Sequence, residues 1–211
     1  MFFKEFSLKY EAVIHVSLSS KFSSSFHNAT LAAKKYKNVY VIDSLNLSGG
    51  SGIAVYEVAL MAKKGIEPNE ICFNMEGLVK SINGSFVIDC LDYLYKGGRC
   101  SGLESISATL LKIKPTIEIS NGRMVVGKKY RGSFERCLVK YVEDRLLSNH
   151  NIDISRIFIT HPSCEKQTIA KVKEIIRYYV KFDEIIVSNT SCTVSSHCGP
   201  NTLGIFFKYK N

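Results

Sequence analysis

Val39-Tyr40-Val41-Ile42-Asp43-Ser44, followed after three residues by Ser48-Gly49-Gly50-Ser51-Gly52, is the stretch that decides the fold. Four consecutive strand formers halted by Asp-Ser read as a buried strand. The glycine-rich segment reads as a turn, and Ile53 to Lys64 as a helix closed by Gly65. Upstream, Ala12 to Val16 is a strand that runs into a serine-rich turn. A helix begins there at Ser23, with Phe22, Phe26, Ala29 and Ala33 at helical spacing and serines to cap it. Downstream, Pro68 opens a helix with Ile71, Met75, Leu78 and Ile82 on one face. Strand, helix, strand, helix, helix is the pattern of a parallel α/β sheet.

Beyond residue 82 the pattern changes. Phe86 to Ile88 reads as a strand, Leu91 to Tyr95 as a helical turn and Ser105 to Leu111 as a helix. Asn121-Gly122 between Thr116–Ser120 and Arg123–Lys129 predicts a β-hairpin, because both residues tolerate the positive φ of its turn. A helix is predicted over 133–148, with Leu138, Tyr141, Val142, Arg145 and Leu146 near one face. Then come a strand (156–160), a helix (164–181) and strands at 184–189, 190–194 and 203–209. This half predicts helices on a mixed or antiparallel sheet. Ser81 and Asn83-Gly84 interrupt the periodicity, so the expected organisation is a partial parallel α/β domain over 1–82 and a second α/β domain over 83–211.

Composition limits the functional classes. The 211 residues carry 28 Lys plus Arg against 19 Asp plus Glu, a formal charge of +9, with 45% apolar and 22% charged residues. That is a globular composition, which excludes a disordered tail or a fibre. No apolar run approaches the roughly 18 residues of a membrane span, and Met1 to Tyr10 lacks the continuous apolar stretch of a signal peptide. A cytoplasmic protein without stable membrane insertion is expected. Seven cysteines, an odd number with no Cys-x-x-Cys pair, predict reduced thiols and neither a zinc site nor a disulfide framework. No metal and no cofactor is expected. The lysines are scattered and form either a solvated basic face or a docking surface for an acidic partner.

Three polar clusters fall where strands end: Ser17 to Ser23, Lys96-Gly97-Gly98-Arg99, and Ser196 to Gly204. Taken singly, each has a plain structural reading as cap, turn or loop. Together they resemble one family. Ser19-Ser20-Lys21-Phe22-Ser23-Ser24-Ser25-Phe26 is similar to the Ser-Ser-x-Leu-Ser-Gly-Thr-Tyr of the DegV family, which includes the acyl-carrying subunit of bacterial fatty acid kinase. Val41-Ile42-Asp43-Ser44 with Ser48, Gly50 and Gly52 resembles its next block. Lys96-Gly97-Gly98-Arg99 with Ile113-Lys114-Pro115, Arg131 after the hairpin, and His197-x-Gly199 with Thr202-Leu203-Gly204 resemble the remainder, in order along the whole chain.

The resemblance implies a two-domain DegV-like fold with a long-chain fatty acid in an apolar tunnel between the domains. It implies that Ser23, Arg99 and His197 surround the carboxylate, supported by the loops of Ser20, Gly97, Gly98 and Gly199. A partner kinase would phosphorylate the bound acid to an acyl phosphate, docking near Arg131. The chain itself would bind and present, and would not be an enzyme. These residue types suit the task. Buried methylenes contribute about 0.8 kcal/mol each, and a carboxylate leaving water needs the hydrogen bonds and charge that a helix-capping serine, an arginine and a histidine supply.

The family's leading Asp-Ser strand and its Thr-Ser-Gln-Pro segment have no counterpart here. The chain is therefore expected to lack the N-terminal part of the first domain and to expose an unpaired sheet edge; the alternative reading is a non-functional truncated paralogue. Two other classes compete. A nucleotide- or nucleic-acid-binding module would use the charge and the Ser48–Gly52 turn, but Gly-x-x-x-x-Gly-Lys is absent. A Cys/His or Ser/His hydrolase would use His197-Cys198 or His161 and Cys164, but no Gly-x-Ser-x-Gly elbow is present.

Overall fold

The computed structural model describes residues 2–99, 113–148 and 151–210. Within them the chain forms eight helices and eight strands. A helix not anticipated from the sequence, α1 (Phe2–Lys9), precedes the parallel pair β1 (Val13–Ser17) and β2 (Val39–Asp43), with α2 (Ser25–Ala33) between them. Then α3 (Ser48–Lys63) and α4 (Pro68–Ser81) lead into β3 (Ile82–Ile88). The remainder is α5 (Asp92–Lys96), β4 (Ile113–Ser120), β5 (Arg123–Arg131), α6 (Phe134–Leu147), β6 (Arg156–His161), α7 (Lys166–Tyr179), β7 (Glu184–Asn189), α8 (Cys192–Cys198) and β8 (Thr202–Lys208). The helix predicted over 105–111 lies outside the described residues.

Two sheets result. β1 and β2 pair in parallel with each other alone among the described strands, so each keeps a free edge. The larger sheet has the order β5-β4-β3-β8-β6-β7. It is mixed: β6 and β7 run parallel, and the other neighbours antiparallel. The hairpin between β4 and β5 turns at Asn121 (φ 49°) and Gly122 (φ 76°), the two left-handed positions its sequence predicts.

Alternation along the central strands sets the layers. Ile157, Ile159, Leu203, Ile205 and Phe207 point into a core completed by Leu138, Tyr141, Val142, Val172 and Ile176 of α6 and α7. Their neighbours Phe158 and Phe206 point to the opposite face, into a core with Ile53, Ala54 and Val58 of α3, Ile71, Met75 and Val79 of α4, and Ile42 of β2. Helices thus cover both faces of the sheet. The α3 side is also pinned by charge: half-buried Glu57 meets Arg156 at 3.1 Å and Lys208 at 2.9 Å.

Three expectations are corrected. Ser48–Gly52 is no turn but the first turn and a half of α3. A Cβ on Gly49 would lie 2.7 Å from Phe206, 2.8 Å from Thr160 and 2.9 Å from Phe158. The glycines let the helix approach the sheet and do not bend the chain. Asn83-Gly84 is no interruption either but lies inside β3, where a Gly84 Cβ would sit 2.7 Å from Asn46 Oδ1 and 2.9 Å from Phe206. Thr190 to Val194 is not a strand. Ser191 caps α8 by accepting the Val194 N–H at 3.3 Å, and this cap overrides the β-branched composition.

Candidate functional site

Both parallel pairs end at one place. Leu18 follows β1, Leu47 and Ser48 follow β2 and open α3, Thr160 is the penultimate residue of β6, and Ser188 and Asn189 end β7; all line a single cavity of about 660 Å³. Crevices at the carboxyl ends of parallel strands are where α/β folds place ligands. The volume lies within the roughly 300–1,000 Å³ of small-molecule sites. Phe22, Leu47, Phe86, Leu94, Met124 and Phe158 supply apolar wall.

Ser23, Arg99 and His197, more than seventy positions apart in sequence, line this same cavity. Ser23 Oγ accepts the Ser25 N–H at 3.1 Å and lies 2.9 Å from Ser25 Oγ. The N-cap position is Ser24, one residue later than expected, so Ser23 closes the loop ahead of α2 rather than capping it. The first turns of α2 and α3 both face the cavity through Ser25, Ser48 and Ser51, and the positive ends of the two helix dipoles there favour an anion. Arg99 donates from Nη1 to the Gly97 carbonyl at 3.0 Å. His197 Nδ1 is buried without a hydrogen-bond partner among the described residues and faces Gly97, where an added Cβ would overlap it.

The remaining expected residues serve as framework. The Ser20 N–H donates to Asp43 Oδ2 at 3.1 Å, tying the end of β1 to that of β2; Ser20 is not part of the lining. Gly98 has φ +64° and lines a second, smaller cavity with Arg99. Gly199 has φ +74°, and a Cβ there would meet the Tyr93 ring at 2.3 Å. Arg131 is exposed at the end of β5 and is not in the cavity lining. The sequence reading does not find Ser191, Thr193 and Val194 at the start of α8, which form wall although their β-branched run reads as a strand. Thr160 Oγ1 lies 3.0 Å from Ser188 Oγ, a pairing visible only once β6 and β7 are side by side.

Neither rival finds its chemistry. Gly49 and Gly50 are buried against Phe206 and Asn46, so these glycines serve close packing, and the segment lacks the Gly-x-x-x-x-Gly-Lys of a phosphate-binding loop. His161 Nδ1 accepts the Cys164 N–H at 3.1 Å, and the thiol donates to the Thr202 carbonyl at 3.4 Å. Burial, aided by Cys198, pushes that thiol up to about 11, which opposes formation of a thiolate nucleophile. Burial raises the Cys198 thiol also. The described cysteines 72, 90, 137, 164, 192 and 198 are free thiols. Among the described residues no cluster of three His, Cys, Asp or Glu is arranged to hold a metal, and no helix is long and apolar enough to cross a membrane.

The family model for "uncharacterised protein, DegV family" matches residues 1–210. The chain belongs to the DegV family. It is 31% identical over 99% of its length to a DegV domain-containing protein of Caldanaerobacter subterraneus subsp. tengcongensis, spanning 74% of that protein. It is 30% identical over 92% of its length to a fatty acid-binding protein of Thermotoga maritima, spanning 68% of that one. The crystal structure of a DegV lipid-binding protein from Thermotoga maritima superposes with a TM-score of 0.86 at 25% identity, covering 99% of this chain and 72% of the other. The mixed α/β architecture of two sheets is therefore that of DegV structures.

Proposed function

We propose that this DegV protein holds a long-chain fatty acid in the cavity at its strand ends and presents the carboxylate to a partner kinase, which forms the acyl phosphate. The reading takes 1–82 and 83–211 as the two domains between which the acid lies, and the cytoplasm as its place of work. One observation carries it: an apolar-walled cavity brings Ser23, Arg99 and His197 together beside two helix N-termini. An acyl chain gains about 0.8 kcal/mol for each methylene it buries there. Its carboxylate, which would otherwise suffer on leaving water, meets a guanidinium, a hydroxyl and an imidazole. No residue needs to act as nucleophile, because the carboxylate oxygen itself attacks the terminal phosphorus of the kinase's nucleoside triphosphate, whose bond to the departing nucleoside diphosphate breaks. Similarity to relatives named as fatty acid-binding and lipid-binding supports the choice of ligand.

Purified protein extracted with organic solvent should release fatty acid detectable by mass spectrometry. Arg99→Ala should weaken fatty acid affinity by roughly tenfold, the loss of about 1.4 kcal/mol of carboxylate pairing, while acyl length preference is unchanged. Protein that carries no lipid, and instead an absorbance maximum near 260 nm, would overturn the reading in favour of a nucleotide.

A further inference from the structure

Beside the main cavity lies a second one of about 400 Å³. The two share Phe22, Arg99 and Met124, so they meet at the Arg99 side chain. The second cavity has a different character. Lys21, Arg99 and Arg123 line it, and no carboxylate does so among the described residues. None of the three cations makes an ion pair with a described Asp or Glu. Three positive groups gathered without a counter-charge repel one another and gain when an anion enters.

The gathering is built. Lys21 comes from the loop after β1 and Arg123 from the first position of β5, some hundred residues apart. The two segments are stapled together: buried Ser19 Oγ donates to the Gly122 carbonyl at 2.8 Å. Gly122 has φ +76°, and a Cβ there would strike Ser19 Oγ at 2.6 Å. The same Ser19 oxygen accepts the Lys21 N–H at 3.2 Å, which fixes the loop that carries the lysine.

We infer that Lys21, Arg123 and Arg99 form a phosphoryl-binding pocket at the head of the main cavity. This rests on the fatty acid reading for its placement. A carboxylate at Arg99 carries one charge. The same head group converted to an acyl phosphate carries up to two and projects further from the tail, toward Lys21 and Arg123. Arginine and lysine side chains are the usual partners of phosphate oxygens. The phosphoryl group comes from one of two sources: the end of an acyl chain that occupies the main cavity, or free phosphate.

Isothermal titration of the full chain with hexadecyl phosphate, hexadecanoate and inorganic phosphate separates these. The Lys21→Gln/Arg123→Gln double variant changes exposed side chains outside the main cavity, and its melting curve checks that it folds. It should bind hexadecyl phosphate roughly tenfold or more weakly, as expected for two lost charge-assisted contacts, with hexadecanoate affinity within about twofold. The same loss seen with inorganic phosphate alone would also support the pocket and would assign free phosphate as a source. Phosphate ligands that do not bind, or that bind the variant unchanged, overturn the inference. So does an equal loss for hexadecanoate. Wild-type protein that binds inorganic phosphate in a Lys21- and Arg123-dependent way but takes no hexadecanoate would leave the pocket standing and overturn the fatty acid reading instead.

Discussion

Gly97 and His197 stand against each other across the cavity wall. A Cβ added at 97 would overlap Nδ1, so any side chain there must displace the imidazole. Gly97→Ala should therefore lower fatty acid affinity about as much as His197→Ala, with a double variant little worse than either; titration of the three variants checks this, and independent losses would separate Gly97 from the histidine. His161 gives a pH dependence. Burial pulls its pKa below the ordinary 6.5, and its Nδ1 must stay unprotonated to accept the Cys164 N–H. The unfolded chain takes up the proton more readily, so this contribution to stability is complete above 6.5 and declines as pH falls from there through the lower folded value. Denaturation midpoints measured from pH 7.5 to 5 should fall less steeply for His161→Asn. Some slope remains in the variant, because burial lowers His15 in the same direction.

Helices α3 and α4 show that one residue type has opposite meanings. A Cβ added to Gly49 in α3 would lie under 3 Å from Phe206, Thr160 and Phe158, whereas one added to exposed Gly77 in α4 would meet nothing within 4 Å. Gly77→Ala should raise stability by about 0.5–1 kcal/mol through helix propensity. Gly49→Ala gains the same propensity but overpacks the helix–sheet contact and should cost a net 1–3 kcal/mol, on the order found for overpacked cores. Thermal melts of the two variants should move in opposite directions. The sequence shows both glycines inside or beside helical periodicity. It cannot show which one meets a sheet built from strands a hundred residues later. The same limit explains Thr190 to Val194: its β-branched residues are real strand signals, and a single serine cap, tied to the end of the parallel β6–β7 pair, turns them into α8.

Across the whole molecule the two parallel pairs, separated by over a hundred residues, deliver their carboxyl ends to one cavity. Arg131 lies apart, exposed at the end of β5. If it serves docking, Arg131→Ala should leave bound fatty acid unchanged and reduce acyl phosphate formation by the reconstituted kinase roughly tenfold, the loss of one charged interface contact. Loss of lipid from this variant would assign it a structural role.

The sequence by itself determined the elements whose signals are local. The hairpin at Asn121-Gly122 needs only two left-handed residues, and the 3.6-residue spacing in α4 and α6 needs only one buried face each. It also set the order of the motifs that place Ser23, Arg99 and His197. Tertiary structure alone decided that these three line one cavity, that Gly49, Gly50 and Gly84 serve close packing rather than turns, and that Lys21 and Arg123 share a basic pocket. The physical reason is range. Dihedral preference and periodicity act over a few residues, whereas steric approach and charge convergence depend on partners that only the folded chain brings together.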